Sequence, residues 1–219
     1  MSTLLKEYEV WVAMFFWLNF PVQALKTILR DAGFAEAPSP PTIQVPPPAV
    51  LEISVGPPRQ TLAVYKSVKA DWVPDKFMLG LGGTATDVLE VLERLRDSFE
   101  RHKYPLDQVC HYYEITLPPQ PVDLDGFVEK LRQRLGIEVS LGGEKLRPFS
   151  ISLSNFDMPV TREKFYKWLY VSLNPDANSP NRRVFIQVVK RETRFNNVVE
   201  FVRSINKVIN EVIGFIEGA

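Results

Sequence analysis

A chain of 219 residues with 45% hydrophobic content can bury a substantial core, as one large domain or two small ones. Its 26 basic and 26 acidic side chains cancel, so no overall field draws it to nucleic acid or to an anionic membrane. The one cysteine, Cys110, excludes an internal disulfide and gives no sign of an oxidising compartment, so a cytoplasmic protein is expected.

The first strand is expected over Val10 to Phe20, with Val12, Met14, Phe16, Leu18 and Phe20 on one face by strict alternation. The run is too short to span a bilayer and follows Glu7 and Glu9, not a basic segment, so a buried strand is the better reading and no membrane partner is expected. A helix with Val22, Leu25, Ile28 and Leu29 ends at Gly33. Residues 37 to 48, with six prolines, read as a stiff extended connection. Three strands follow, carrying Leu51, Ile53 and Val55, then Thr61 to Ser67, then Phe77, Leu79 and Leu81. A helix over 84 to 103 places Val88, Leu92, Leu95 and Phe99 on one stripe and Glu90–Arg94 and Asp97–Arg101 pairs on the other.

The same order then repeats. Val109, His111, Tyr113, Ile115 and Leu117 match the apolar face of the first strand, and Phe127, Val128, Leu131 and Leu135 form a helix ending at Gly136. Strands with Phe149, Ile151 and Leu153, then Glu163 to Leu173, then Val184, Ile186 and Val188, lead to a last apolar helix over 195 to 217. Gly142-Gly143 reads as a hairpin turn. The expected fold is α+β, with internally duplicated βαβββα units, 1–106 and 107–219, forming one bent antiparallel sheet with helices on one face.

The opposite face is where a functional site is expected. Alternation assigns to it Trp11, Phe15 and Trp17 of the first strand and Gln108, Cys110, Tyr112 and Glu114 of its counterpart. It also assigns Glu52 and Ser54, Ser150 and Ser152, Met78, Gly80 and Gly82, then Tyr166, Trp168 and Tyr170, and finally Arg183, Phe185, Gln187 and Arg191. The binding residues selected from this set are Trp11, Phe15, Trp17, Tyr112, Glu114, Tyr166, Trp168, Tyr170, Arg183 and Gln187. So many aromatics would be unusual on an idle surface, although a second subunit or another layer would account for them equally.

Catalytic motifs are weak. Cys110 and His111 are neighbours on a strand and must point to opposite sides, so they cannot form a nucleophile–base pair. Two separated histidines and one cysteine make no metal cluster of usual spacing, and neither a metal nor a cofactor is expected. Gly80-Leu-Gly-Gly83 before Thr84 could hold a phosphate at a helix start, but it lacks the P-loop pattern and reads better as a turn with Thr84 capping and Asp87 as its partner. Glu52 and Glu114 form a further conceivable acid/base pair.

Lys164, Lys167, Arg182, Arg183, Lys190, Arg191 and Arg194 surround Tyr166, Trp168, Tyr170 and Phe185, a mixture able to contact phosphates and stack on bases. Asp157, Glu163, Asp176 and Glu192 are interspersed, which fits a solvated edge better. The expectation is therefore a non-enzymatic binding or assembly module. It would use the aromatic face or the apolar last helix for a protein partner or for its own homodimer, with nucleic-acid binding through the second repeat as the alternative.

Two resemblances accompany these patterns. Tandem strand-rich units backed by long helices resemble the saddle of TATA-binding proteins in layout, without their aromatic wedges or groove-reading residues. The opening strand Val10 to Phe20, the lead-in Pro46-Pro47-Pro48-Ala-Val-Leu-Glu-Ile-Ser-Val-Gly-Pro-Pro58 and the polar strand Gln108 to Thr116 resemble a sporadically distributed, functionally uncharacterised prokaryotic family. That resemblance implies no activity and no catalytic residue, and the aromatic strand Trp11 to Trp17 departs from it.

Overall fold

The computed structural model describes residues 7–37, 59–156 and 165–218. The expected strand at Leu51–Val55, with Glu52 and Ser54, and nearly all of the proline-rich connection lie outside those residues, as do Asp157, Glu163 and Lys164.

The protein is α+β. Among the described residues one antiparallel sheet runs through nine strands: β1 (Glu9–Phe16), β2 (Ala35–Glu36), β3 (Gln60–Tyr65), β4 (Val68–Val73), β5 (Met78–Thr84), β6 (Cys110–Asp123), β9 (Ile151–Ser154), β10 (Trp168–Pro175) and β11 (Arg183–Glu192). Its order is β2-β3-β4-β5-β1-β6-β11-β10-β9, and a separate hairpin pairs β7 (Val139–Leu141) with β8 (Glu144–Leu146). Setting β2 aside, the strands leave the central β1–β6 pair in the same first, fourth, third, second order on both sides. A common origin of the two halves is a proposal resting on the sequence match.

One side of the sheet carries the core. Val10, Val12, Met14 and Phe16 of β1 and Tyr113, Ile115 and Leu117 of β6 are buried there with the apolar stripes of the helices. These helices are α1 (Val22–Asp31), α2 (Ala85–Arg101), α4 (Phe127–Leu135), α5 (Phe195–Arg203) and α6 (Ile205–Glu217), with a single turn, α3 (Leu106–Val109), before β6. Their spacing of apolar residues, repeated every three or four positions, is what makes a single face available for burial. Thr84 caps α2 by accepting from the Asp87 amide at 3.4 Å, while the Asp87 carboxylate turns to the Ser67 amide, so only half of a capping box forms. Gly136 closes α4 in the left-handed conformation, as its position after Leu135 predicts.

Several expectations are corrected. The segment 61–67 is not one middle strand: β3 turns at Lys66–Ser67 into β4, which the buried charge of Asp71 hid from any alternation pattern. Strand β6 continues past Leu117-Pro118 to Asp123, because β1 pairs with it only as far as Thr116 and proline is tolerated where a strand becomes an edge. The last helix is two, joined at Ser204, whose hydroxyl donates to the Phe201 carbonyl at 3.1 Å. Leu18, expected in the core, is 78% exposed because β1 ends at Phe16.

The parity of Cys110 and His111 is reversed. The pairing of β1 with β6 slips between Phe15, opposite Tyr112, and Phe16, opposite Cys110, leaving His111 as the extra residue of a bulge. Cys110 therefore joins the core and His111 the open face. Burial pushes the Cys110 thiol well above its ordinary range. The folded thiol keeps its proton to higher pH than the unfolded one, so its contribution to stability is complete below about pH 8.5 and declines above it. Ellman's reagent is expected to label Cys110 in the native protein at least about a hundredfold more slowly than in denaturant, since only an accessible thiolate reacts. Equal rates in the two conditions would place the thiol on the open face.

Candidate functional site

Among the described residues no helix covers the side of the sheet opposite the core. Three rows of side chains cross it, fixed by register. Asp71, Gly80, Ala13, Glu114, Arg191 and Trp168 lie abreast from β4 to β10; Lys69, Gly82, Trp11, Thr116, Val189 and Tyr170 form the next row; and Val73, Met78, Phe15 and Tyr112 the third.

Trp11 lies flat on β5. A Cβ at Gly80 would come within 1.9 Å of the indole and one at Gly82 within 2.5 Å, so the two glycines form its seat. The Arg59 guanidinium covers the other side of the ring at 4.4 Å from its centroid. Arg59 is held by Asp71, Nε donating to Oδ2 at 2.8 Å with a second contact from Nη2, and Thr61 donates to Oδ1 at 2.6 Å. The glycine run is thus strand and floor, not a phosphate loop. A cleft of about 450 Å³ opens beside it between Trp11, Phe15, Arg59, Lys76 and Glu114.

A continuous run of rings crosses the strand-end margin of the face. Trp17 packs on His111 at 4.0 Å, His111 on Tyr166 at 4.1 Å, Tyr166 on Tyr112 at 5.0 Å, and Tyr112 stacks on Phe15 at 4.3 Å and 10°. Three of these rings, Trp17, His111 and Tyr166, border a groove of about 650 Å³ that Asp107, Cys110, Lys167 and Thr193 complete. Trp17 is 51% exposed at its mouth. Burial raises the Tyr112 hydroxyl, keeping it neutral.

Arg191 sits among three rings, 5.2 Å from Tyr112, 5.0 Å from Phe165 and 5.1 Å from Trp168, and donates from Nε to Glu114 Oε2 at 2.8 Å. The clasp orients Tyr112 and Trp168 and neutralises Glu114.

Of the ten residues chosen from sequence, Trp11, Phe15, Tyr112, Glu114, Trp168, Tyr170 and Gln187 lie on this face, and Trp17 and Tyr166 lie just beyond the strand ends beside it. Tyr166 is not part of a strand, since β10 begins at Trp168. Tyr170 is tied to Ser152 at 3.1 Å, and Gln187 accepts from Ser172 at 3.5 Å, both away from the run of rings. Arg183 starts β11 and pairs with Asp123 at 3.1 Å. Sequence reasoning missed Arg59, Asp71 and Phe165, and placed His111 on the wrong side.

Three of the seven basic residues expected to meet phosphates are engaged: Arg191 with Glu114, Arg183 with Asp123, and Lys190 with Glu192 at 3.0 Å. Cys110 and His111 face opposite sides, and among the described residues no cluster of three or more His, Cys, Asp or Glu could hold a metal ion. No helix among them is long and apolar enough to cross a membrane. Comparison with models of known protein families finds no match, and neither does comparison with curated proteins.

Proposed function

We propose that this protein is a non-enzymatic binding module whose site is the aromatic groove at the Trp17–His111 end of the sheet face opposite the core, and that it receives an aromatic or other planar side chain of a protein partner. The observation that carries this reading is the run Trp17–His111–Tyr166–Tyr112–Phe15 beside a groove of about 650 Å³. Rings fixed by one another and by Arg191 lose little freedom on binding, so a partner meets a surface already organised. The apolar last helix is the weaker candidate, because Ile205, Ile209 and Ile216 are already buried within the chain.

N-acetyl-L-tryptophanamide is a suitable probe. Replacing Trp17 and Tyr166 by Ser is expected to weaken its saturable binding by about tenfold or more, since a ring–ring contact is worth roughly 0.5–1.5 kcal/mol beyond its burial. The melting temperature should stay within a few degrees of the parent's. Unchanged binding by the folded variant refutes the site, and loss of folding shows that these rings are core.

Nucleic-acid binding is disfavoured by the carboxylates on Arg191, Arg183 and Lys190. It would announce itself as affinity for a single-stranded oligonucleotide that falls steeply between about 50 and 200 mM salt.

A further inference from the structure

We propose that the aromatic groove recognises a C-terminal aromatic residue of its protein partner, the ring held among Trp17, His111 and Tyr166 and the α-carboxylate on the Lys167 ammonium. This inference rests on the reading of the groove as a binding site and adds to it the charge of what the groove takes.

Asp107 and Lys167 both line the groove, and they differ in what they already hold. Asp107 Oδ1 accepts from the Phe195 amide at 2.7 Å and from the Tyr113 hydroxyl at 3.2 Å. The carboxylate thus sits at the start of α5, where the unpaired amides of the first turn carry partial positive charge and offset its own. Lys167 is exposed, and among the described residues its ammonium makes neither an ion pair nor a hydrogen bond. The Thr193 hydroxyl, on the same groove, has no hydrogen-bond partner among them either. The groove therefore combines a satisfied carboxylate with a cation and a hydroxyl donor that both lack an acceptor. A carboxylate supplies acceptors to both and neutralises the cation.

The place of Lys167 narrows which carboxylate this is. It follows Tyr166 directly in the chain, and the Tyr166 ring packs on His111 at 4.1 Å, with Trp17 at 4.0 Å from the same imidazole. The ammonium thus ends a flexible stem that starts beside one wall of the ring seat. A carboxylate within its reach belongs on the same residue as the seated ring. A C-terminal residue meets that condition, because its ring and its carboxylate branch from one Cα. A mid-chain aromatic residue presents a neutral carbonyl in that place.

The test compares N-acetyl-L-tryptophan, which mimics a chain end, with N-acetyl-L-tryptophanamide, which mimics a mid-chain residue. Dissociation constants come from NMR titration of the full chain and of a Lys167→Gln variant at low salt and pH 8. That pH lies well above the ordinary imidazole range of about 6.5, so lysine is the cation that the comparison reads. The acid is expected to bind the wild type about fivefold more tightly than the amide, the upper range for one partly exposed charge pair, and the ratio is expected to fall to about one in Lys167→Gln. Equal affinities in the wild type overturn the inference and leave the aromatic groove standing as a binding site. A preference that survives in Lys167→Gln overturns it too, since the cation is then another group. Binding of N-acetyl-Trp-Glu-amide as tight as that of N-acetyl-L-tryptophan assigns the groove to an internal acidic segment and overturns the chain-end assignment. Absence of binding by both simple probes sinks the groove itself, and this inference with it.

Discussion

Gly80→Ala is expected to destabilise the protein by about 3 kcal/mol, the upper part of the range for overfilling a packed site. The added methyl would sit 1.9 Å from the Trp11 indole, inside any real contact distance, so the ring must leave its seat and lose its packing on β5 and its contact with Arg59. Gly82→Ala, at 2.5 Å, should cost less because a smaller shift of the same ring relieves the clash. The control is the double change with Trp11→Ala. Without the indole, the three atoms nearest to an alanine methyl at position 80 are gone and alanine is preferable to glycine in a strand, so most of its cost should vanish. Denaturant unfolding of the four proteins reads the coupling directly. An equal cost of Gly80→Ala with and without Trp11 would mean that the glycines are there for another reason.

Arg59→Ala has the next largest expected effect, a loss of about 2 kcal/mol. Asp71 is 1% exposed, and with Arg59 removed its carboxylate keeps, among the described residues, the Thr61 hydroxyl. Breaking a fully buried pair costs roughly 3–5 kcal/mol; here about half of Arg59 is solvated, so water reaching the vacated side recovers part of that. The Arg59→Ala/Asp71→Ala double variant should be more stable than Arg59→Ala alone, because the stranded charge is gone. If the single variant unfolds at the parent's denaturant concentration, the buried carboxylate is satisfied by something other than Arg59.

These two effects concern residues that sequence patterns could not pair. Alternation placed Trp11 on the open side and gave Val12, Met14 and Phe16 to the core, because the pleat leaves no other choice for a strand with one covered face. It could not say that Trp11 lies abreast of Gly82, which depends on the register between β1 and β5. The glycines therefore looked like a turn. Tyr113, Ile115 and Leu117 were legible in the same way, and so were α2 with its Thr84 cap and the Gly142-Gly143 hairpin. What was lost at Cys110 and His111 has a single cause: one extra residue in β6 reverses facing on one side of the bulge only, and periodicity carries no mark of it. Strand β4 escaped because Asp71 breaks its pattern, and a buried aspartate is intelligible only once Arg59 and Thr61 are seen around it. The candidate site was thus visible as a set of rings and invisible as a sequence of contacts.

The open face can be tested most directly by a two-dimensional NMR titration of uniformly labelled protein with N-acetyl-L-tryptophanamide. A binding groove predicts saturable shifts confined to Trp17, His111, Tyr112, Tyr166 and their strand neighbours, with the core amides of α2 and the hairpin amides unmoved. Shifts that are absent at saturating probe, or spread evenly over the surface, would contradict it and leave the rings as packing.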